Sequence, residues 1–151
     1  MKVLLINGSP HARGCTATAL GVVADVLEQN GIETETIHVG HKDIHGCIGC
    51  GKCREPMEQR ESSQVSLGLD RVATEEGESQ LGKCVFDKDM VTEVAAKFRE
   101  ADGIVIGSPV YFGAVSGTMT SFLNRLFYSV PADVNKKDGR WLFVEQRAST
   151  Y

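Results

Sequence analysis

Lys2-Val-Leu-Leu-Ile-Asn-Gly-Ser-Pro-His-Ala-Arg-Gly-Cys-Thr16 runs from a purely apolar stretch into a glycine, serine and proline loop, and then into residues with helical spacing. Val3 to Ile6 is an unbroken apolar run, as expected of a central parallel strand buried on both faces. The junction that follows suits an anion. The first amides of a helix lack intrahelical partners and their dipoles favour negative charge, so a loop that exposes them beside hydroxyls holds phosphate without a lysine. Ser9 and Thr16 supply the hydroxyls, and Gly8 and Gly14 allow close turns. Five residues separate Gly8 from Gly14, and Cys15 stands where a nucleotide-triphosphate loop requires Lys; a G-x-G-x-x-G dinucleotide fingerprint is also absent. A phosphomonoester is the natural guest; the competing possibility is that Ser and Thr merely cap the helix.

The chain has 151 residues, 42% of them apolar, enough for one domain with a real core. Its net charge of -4 and lack of a basic stripe argue against nucleic acid as a partner. The opening apolar run is too short for a signal peptide or a membrane span, so a cytoplasmic protein without membrane attachment is expected. In that reducing setting, the five cysteines read as thiols, metal ligands or cluster ligands rather than disulfides.

Leu20, Val23 and Leu27 recur at helical spacing from Thr16 to Asn30, and Gly31 stops the helix. Glu33 to Val39 alternates as a less buried strand. A second unit follows, with Met90, Val94 and Phe98 on a helix capped by Asp87 or Asp89, then Gly103-Ile-Val-Ile-Gly107 as another buried strand. Val115 to Tyr128 is helical through Met119, Phe122, Leu123 and Leu126, and Arg140 to Gln146 reads as a last strand. Alternating strands and helices imply a parallel sheet with right-handed crossovers in a three-layer α/β/α domain. Residues 55–81 are polar, acidic and aperiodic, and read as an insertion within a single domain spanning 1–151.

Ile106-Gly-Ser-Pro-Val-Tyr-Phe-Gly-Ala-Val-Ser-Gly117 ends its strand as the first loop does. Both loops thus open at the carboxyl edge of the sheet, where open α/β sheets bind ligands. Pro109, Val110, Tyr111, Phe112 and Gly113 suit a flat aromatic ring lying against the chain. Alternatively, the two aromatics plug the sheet end.

Gly8-Ser-Pro-x3-Gly-Cys-Thr16, Cys47-Ile-Gly-Cys-Gly-Lys-Cys53, Gly82-Lys-Cys84 and Gly107-Ser-Pro-Val-Tyr111 together resemble the NADPH-dependent FMN reductase family, particularly its iron–sulfur-flavoprotein-like branch. The resemblance covers about residues 1–54 and 82–130. It implies a flavodoxin-like sandwich with FMN at the carboxyl edge, its phosphate on Ser9, Cys15 and Thr16 and its ring against Pro109 to Gly113. Members commonly carry Asn where Cys15 stands. They also join the third cysteine to the fourth by a short link, whereas about thirty residues separate Cys53 from Cys84 here. Members continue through a further flavin-contacting loop and a fifth strand with its helix; the C-terminal edge is therefore expected to be incomplete, and a homo-oligomer to complete it. Gln146 to Thr150 falls where that third loop would begin.

Flavin carries its own reactivity, so a site of this kind needs no acid–base residue. His11, His41 and His45 read as solvated side chains rather than ligands. Cys47-x2-Cys50-x2-Cys53 has the spacing of cluster ligation with a fourth cysteine from elsewhere, and Cys84 is the candidate. The same four thiolates suit zinc, and two of them a redox dithiol. Three functions compete: an FMN-dependent oxidoreductase taking electrons from NAD(P)H to a small-molecule or protein acceptor, an electron carrier holding FMN and a 4Fe-4S cluster, and a flavin-free metal- or partner-binding remnant.

Overall fold

The computed structural model describes residues 1–54 and 84–130, together with the backbone of 143–147. Five strands, β1 (Lys2–Asn7), β2 (Glu33–His38), β3 (Gly103–Tyr111), β4 (Ala114–Val115) and β5 (Phe143–Arg147), form one sheet. Three helices, α1 (Cys15–Gln29), α2 (Met90–Glu100) and α3 (Gly117–Ser129), cover it. β1 lies between β2 and β3 and is parallel to both, in register Leu4↔Glu35 and Leu4↔Ile104, and β5 runs parallel along the other edge of β3. The result is a flavodoxin-like α/β sandwich.

Alternation along the central strands builds two cores. Leu4, Ile6, Ile104 and Ile106 meet Val94 and Phe98 of α2 and Met119, Phe122 and Leu126 of α3. On the other face Val3, Leu5 and Val105 meet Leu20 of α1, flanked by Val23 and Leu27. Each side chain so buried contributes on the order of 1.5–3 kcal/mol. Because α1 covers one face and α2 with α3 the other, strand order reverses between β1 and β3, and their carboxyl ends open a crevice.

Helix boundaries follow local chemistry. Gly31, at φ +74°, turns the chain out of α1. Asp89 rather than Asp87 caps α2, its carboxylate accepting from the Val91 amide at 3.1 Å. Ser116 caps α3 through the Met119 amide at 3.3 Å.

The expected loop at 107–113 is different in kind. β3 continues to Tyr111, and Phe112 (φ 52°) and Gly113 (φ 77°) form a two-residue turn into β4, which pairs antiparallel as Tyr111↔Ala114 and Val110↔Val115. Two successive positive φ angles make the hairpin turn whose twist matches that of the strands. β4 occupies the edge of β3 that β1 leaves after Asn7↔Gly107. The sheet is therefore mixed, not wholly parallel. The polar stretch 55–81 and the sequence beyond Arg147, including most of the expected third loop, lie outside the described residues.

Candidate flavin crevice and cysteine recess

The loop after β1 is stitched from within. The Ser9 amide donates to Asn7 Oδ1 at 3.0 Å, the His11 amide to Ser9 Oγ at 3.2 Å, and His38 Nε2 to the Ser9 carbonyl at 2.6 Å. Gly14 is the N-cap of α1 and offers no side-chain cap; no acidic residue occupies the first turn. No side chain caps the opening amides of α1, and the Ser9 hydroxyl accepts from the His11 amide rather than from the helix. Ser9 and Thr16 are buried at this end and Cys15 is exposed.

Three glycines bring the surrounding chain to van der Waals contact. A Cβ on Gly40 would stand 2.0 Å from the Ser9 carbonyl oxygen, one on Gly8 2.4 Å from Met119 Cε, and one on Gly107 2.9 Å from Thr16 Cγ2. Gly107 is buried rather than offered to a ligand. Hydroxyls complete the join: Ser116 Oγ donates to the Gly8 carbonyl at 2.9 Å, and the Ser116 amide donates to Ser108 Oγ at 3.0 Å. Pro109 and Val110 are half-buried in β3, beside Gln146 and Arg147 of β5. Tyr111 and Phe112 do not plug the sheet end; they project from the hairpin, Phe112 at 110% exposure.

His38 and His41 lie with ring centroids 4.2 Å apart. Loss of hydration, then the neighbouring His38 and Lys42 charges, hold His41 below its ordinary pKa.

A second site lies across the α2–α3 face. Cys47, Cys50, Cys53 and Cys84 line one shallow recess open to solvent, together with Ile48, Val85, Phe86 and Tyr128. Among the described residues no three His, Cys, Asp or Glu side chains are grouped closely enough to hold a metal ion as they stand. Gly49 and Gly51, at φ 66° and 76°, give the tight turns that bring Cys47, Cys50 and Cys53 to it. Cys53, 7% exposed, sits in a 3-10 turn, Lys52–Arg54. Burial pushes its thiol pKa up, with the adjacent Cys84, Cys50 and Cys47 adding to the effect. Arg54 fastens this turn to α3, its Nε donating to the Tyr128 carbonyl at 3.0 Å and its guanidinium lying 3.8 Å over the Tyr128 ring.

Arg125 is the site residue that hydrophobic patterning misses. On α3 it stands among Phe122 and Leu126, yet it is buried and ion-paired with Asp89. Burial works to lower its pKa, but the hydrogen bond and charge of Asp89, and those of Cys84, raise it above the ordinary value. An arginine three residues after core Phe122 and next to core Leu126 is the available signal, and it names no partner.

Among the described residues, no helix is long and apolar enough to cross a membrane. The family model described as NADPH-dependent FMN reductase matches residues 1–142. An iron-sulfur flavoprotein of Methanocaldococcus jannaschii is 35% identical over 125 residues, covering 83% of this chain and 51% of the relative. One from Archaeoglobus fulgidus is 34% identical over the same length, covering 83% and 48%. The chain thus spans about half the length of these curated relatives. A crystal structure of RosB with bound 8-demethyl-8-formylriboflavin-5'-phosphate shares the fold at TM-score 0.58 and 16% identity, covering 100% of this chain and 67% of that one. With the crevice at the carboxyl edge and the match running through every described element up to α3, the chain belongs to the NADPH-dependent FMN reductase family.

Proposed function

We propose that this chain is a redox module that binds FMN in the β1–β3 crevice and a 4Fe-4S cluster on Cys47, Cys50, Cys53 and Cys84, passing electrons to a small-molecule or protein acceptor. The observation that carries this reading is the gathering of all four thiols around one recess despite about thirty intervening residues before Cys84. Lengthening that link costs only about 1 kcal/mol in loop closure, which thiolate–metal bonding exceeds. The same four thiols could serve zinc or an iron–sulfur cluster; the iron-sulfur flavoprotein relatives support the cluster.

The crevice fits a flavin phosphate by its chemistry. Ser9, Thr16 and the backbone amides from Cys15 onward would hold the phosphate. Pro109, Val110, Tyr111, Phe112 and Gly113 would flank the ring and keep water from one face. Bound flavin would supply hydride acceptance and electron release singly or in pairs, and the cluster one-electron transfer. The chain's own residues bind, orient and shield.

A second reading, supported by the family's description, is a reductase that takes hydride from NADPH or NADH directly. Anaerobic bleaching of flavin absorbance by either nucleotide supports it; an unbleached spectrum leaves the carrier. A cytoplasmic setting accords with five free cysteines, and a homo-oligomer with the edge of β5, which pairs with β3 alone among the described residues.

The deciding experiment is the visible spectrum of the full chain after addition of FMN and anaerobic reconstitution with iron and sulfide. Flavin bands with a broad iron–sulfur shoulder are expected. Ser9→Ala with Thr16→Val should weaken FMN binding about ten- to a hundredfold through two lost hydrogen bonds to a charged acceptor. Cys84→Ser should remove the shoulder and leave the flavin. A colourless wild-type protein overturns the proposal.

A further inference from the structure

Cys84 reaches the recess from a different part of the chain than its three partners, so something outside the cysteine motif must hold it there. Arg125, 2% exposed, reaches out from α3 to both parts. Its Nη2 donates to the Phe86 carbonyl, two residues after Cys84, at 2.6 Å and to Asp89 Oδ1 at 3.0 Å. Its Nη1 pairs with Asp89 Oδ2 and donates to the carbonyl of His45, two residues before Cys47, at 3.4 Å. The guanidinium also lies 5.4 Å over the Phe86 ring, which stacks on His45 with centroids 3.9 Å apart. One planar cation therefore joins the chain entering Cys47 to the chain leaving Cys84. Only a fork of fixed geometry spans these acceptors; a lysine ammonium has neither the reach nor the plane.

We propose that Arg125 is the positioning residue of the four-cysteine site, locking Cys84 against Cys47, Cys50 and Cys53 and setting a buried positive charge beside the bound cluster. The inference rests on the cluster reading above. Asp89 doubles as the N-cap of α2, so the clamp is anchored to two helices at once. Arg125 also interacts with Cys84 itself, so its charge stands beside one of the four thiols. A fixed positive charge there stabilises the more negative, reduced form of a cluster and raises its potential.

The test reconstitutes the full chain anaerobically with ferrous iron and sulfide, then measures iron per chain, FMN affinity and midpoint potential. Wild type should take up about four irons. Arg125→Met should lose most of that iron, as Cys84→Ser does, while FMN affinity stays unchanged, and its remaining loaded fraction should show a lower potential. Arg125→Lys restores charge without the fork; it should recover the potential but not the full iron complement. A folded Arg125→Met protein with wild-type iron content and potential overturns the inference. If Arg125→Met does not fold, Arg125→Lys decides: reduced iron supports the inference, and wild-type iron overturns it. A wild type that takes up no iron and matches Cys84→Ser removes the four-cysteine reading, and the inference falls with it.

Discussion

The amide of Gly8 donates to the carbonyl of Gly107 at 2.7 Å, joining the loop after β1 to the strand that leads into the hairpin. Two segments that are a hundred residues apart in sequence thus form one continuous wall of the crevice. Their alignment does not wait for a ligand.

Ser116 secures the same wall. Its hydroxyl accepts from the Met119 amide and donates to the Gly8 carbonyl, so Ser116→Ala removes a helix cap and an inter-loop bond together. A loss of about 1–2 kcal/mol is expected. Urea denaturation with unchanged slope and a lowered midpoint is the measurement; an unshifted midpoint refutes the assignment.

Gly40→Ala and Gly8→Ala should separate sharply. A Cβ on Gly40 meets backbone of Ser9, which cannot move without breaking the loop, whereas the nearest atom to one on Gly8 is the flexible end of Met119. Gly40→Ala should cost several kcal/mol or prevent folding, and Gly8→Ala about 1–3 kcal/mol. Thermal melts of both variants give the order, and equal melting points contradict it.

How much of this was legible beforehand varies with the range of the interactions. Val3 to Ile6 and Ile104 to Ile106 declared themselves as central strands because burial on both faces leaves an apolar run, and α1 to α3 followed from spacing within each helix. The hairpin did not, since Phe112 is a poor residue for a positive φ and carries no turn signal of its own. Arg125 was hidden for another reason: its partners His45, Phe86 and Asp89 lie 80, 39 and 36 residues away, and no local pattern encodes such a clamp. Candidate residues of the crevice could be named from the loops, but their supports, Asn7, His38, Ser108 and Ser116, became apparent only once the strands were aligned.

Phe112→Asn should raise stability by up to about 1 kcal/mol, because asparagine tolerates the left-handed region better than phenylalanine does. FMN affinity should fall in the same variant if the ring flanks the flavin. Paired melting and fluorescence titrations read both effects; tighter FMN binding would contradict the placement.

Glu35 lies between Lys97, at 2.7 Å, and Lys2, at 2.9 Å. Hydrogen bonds from Lys97 and then Lys2 hold its carboxyl below the ordinary value of 4.5, and those to Glu35 raise both lysines above 10.5. A lowered carboxyl pKa contributes stability above its unfolded value and loses it as pH falls through the folded one. The raised lysine pKa values contribute below 10.5 and lose it as pH rises through theirs. Glu35→Gln should therefore be less stable than wild type at neutral pH, with the gap closing in acid. Urea midpoints at pH 7 and below pH 4 check this; a gap that is constant with pH rules it out.

Phe112 sets the chain against its own folding: its backbone sits where a bulky side chain is strained by about 1–3 kcal/mol, and its ring gains nothing from burial. Selection for foldability alone would replace it within a few steps with asparagine or glycine. A library of random variants screened only for heat resistance should therefore enrich substitutions at 112 early, and the same library screened for flavin retention should not. Position 112 would then mark where durability and use pull apart in this protein.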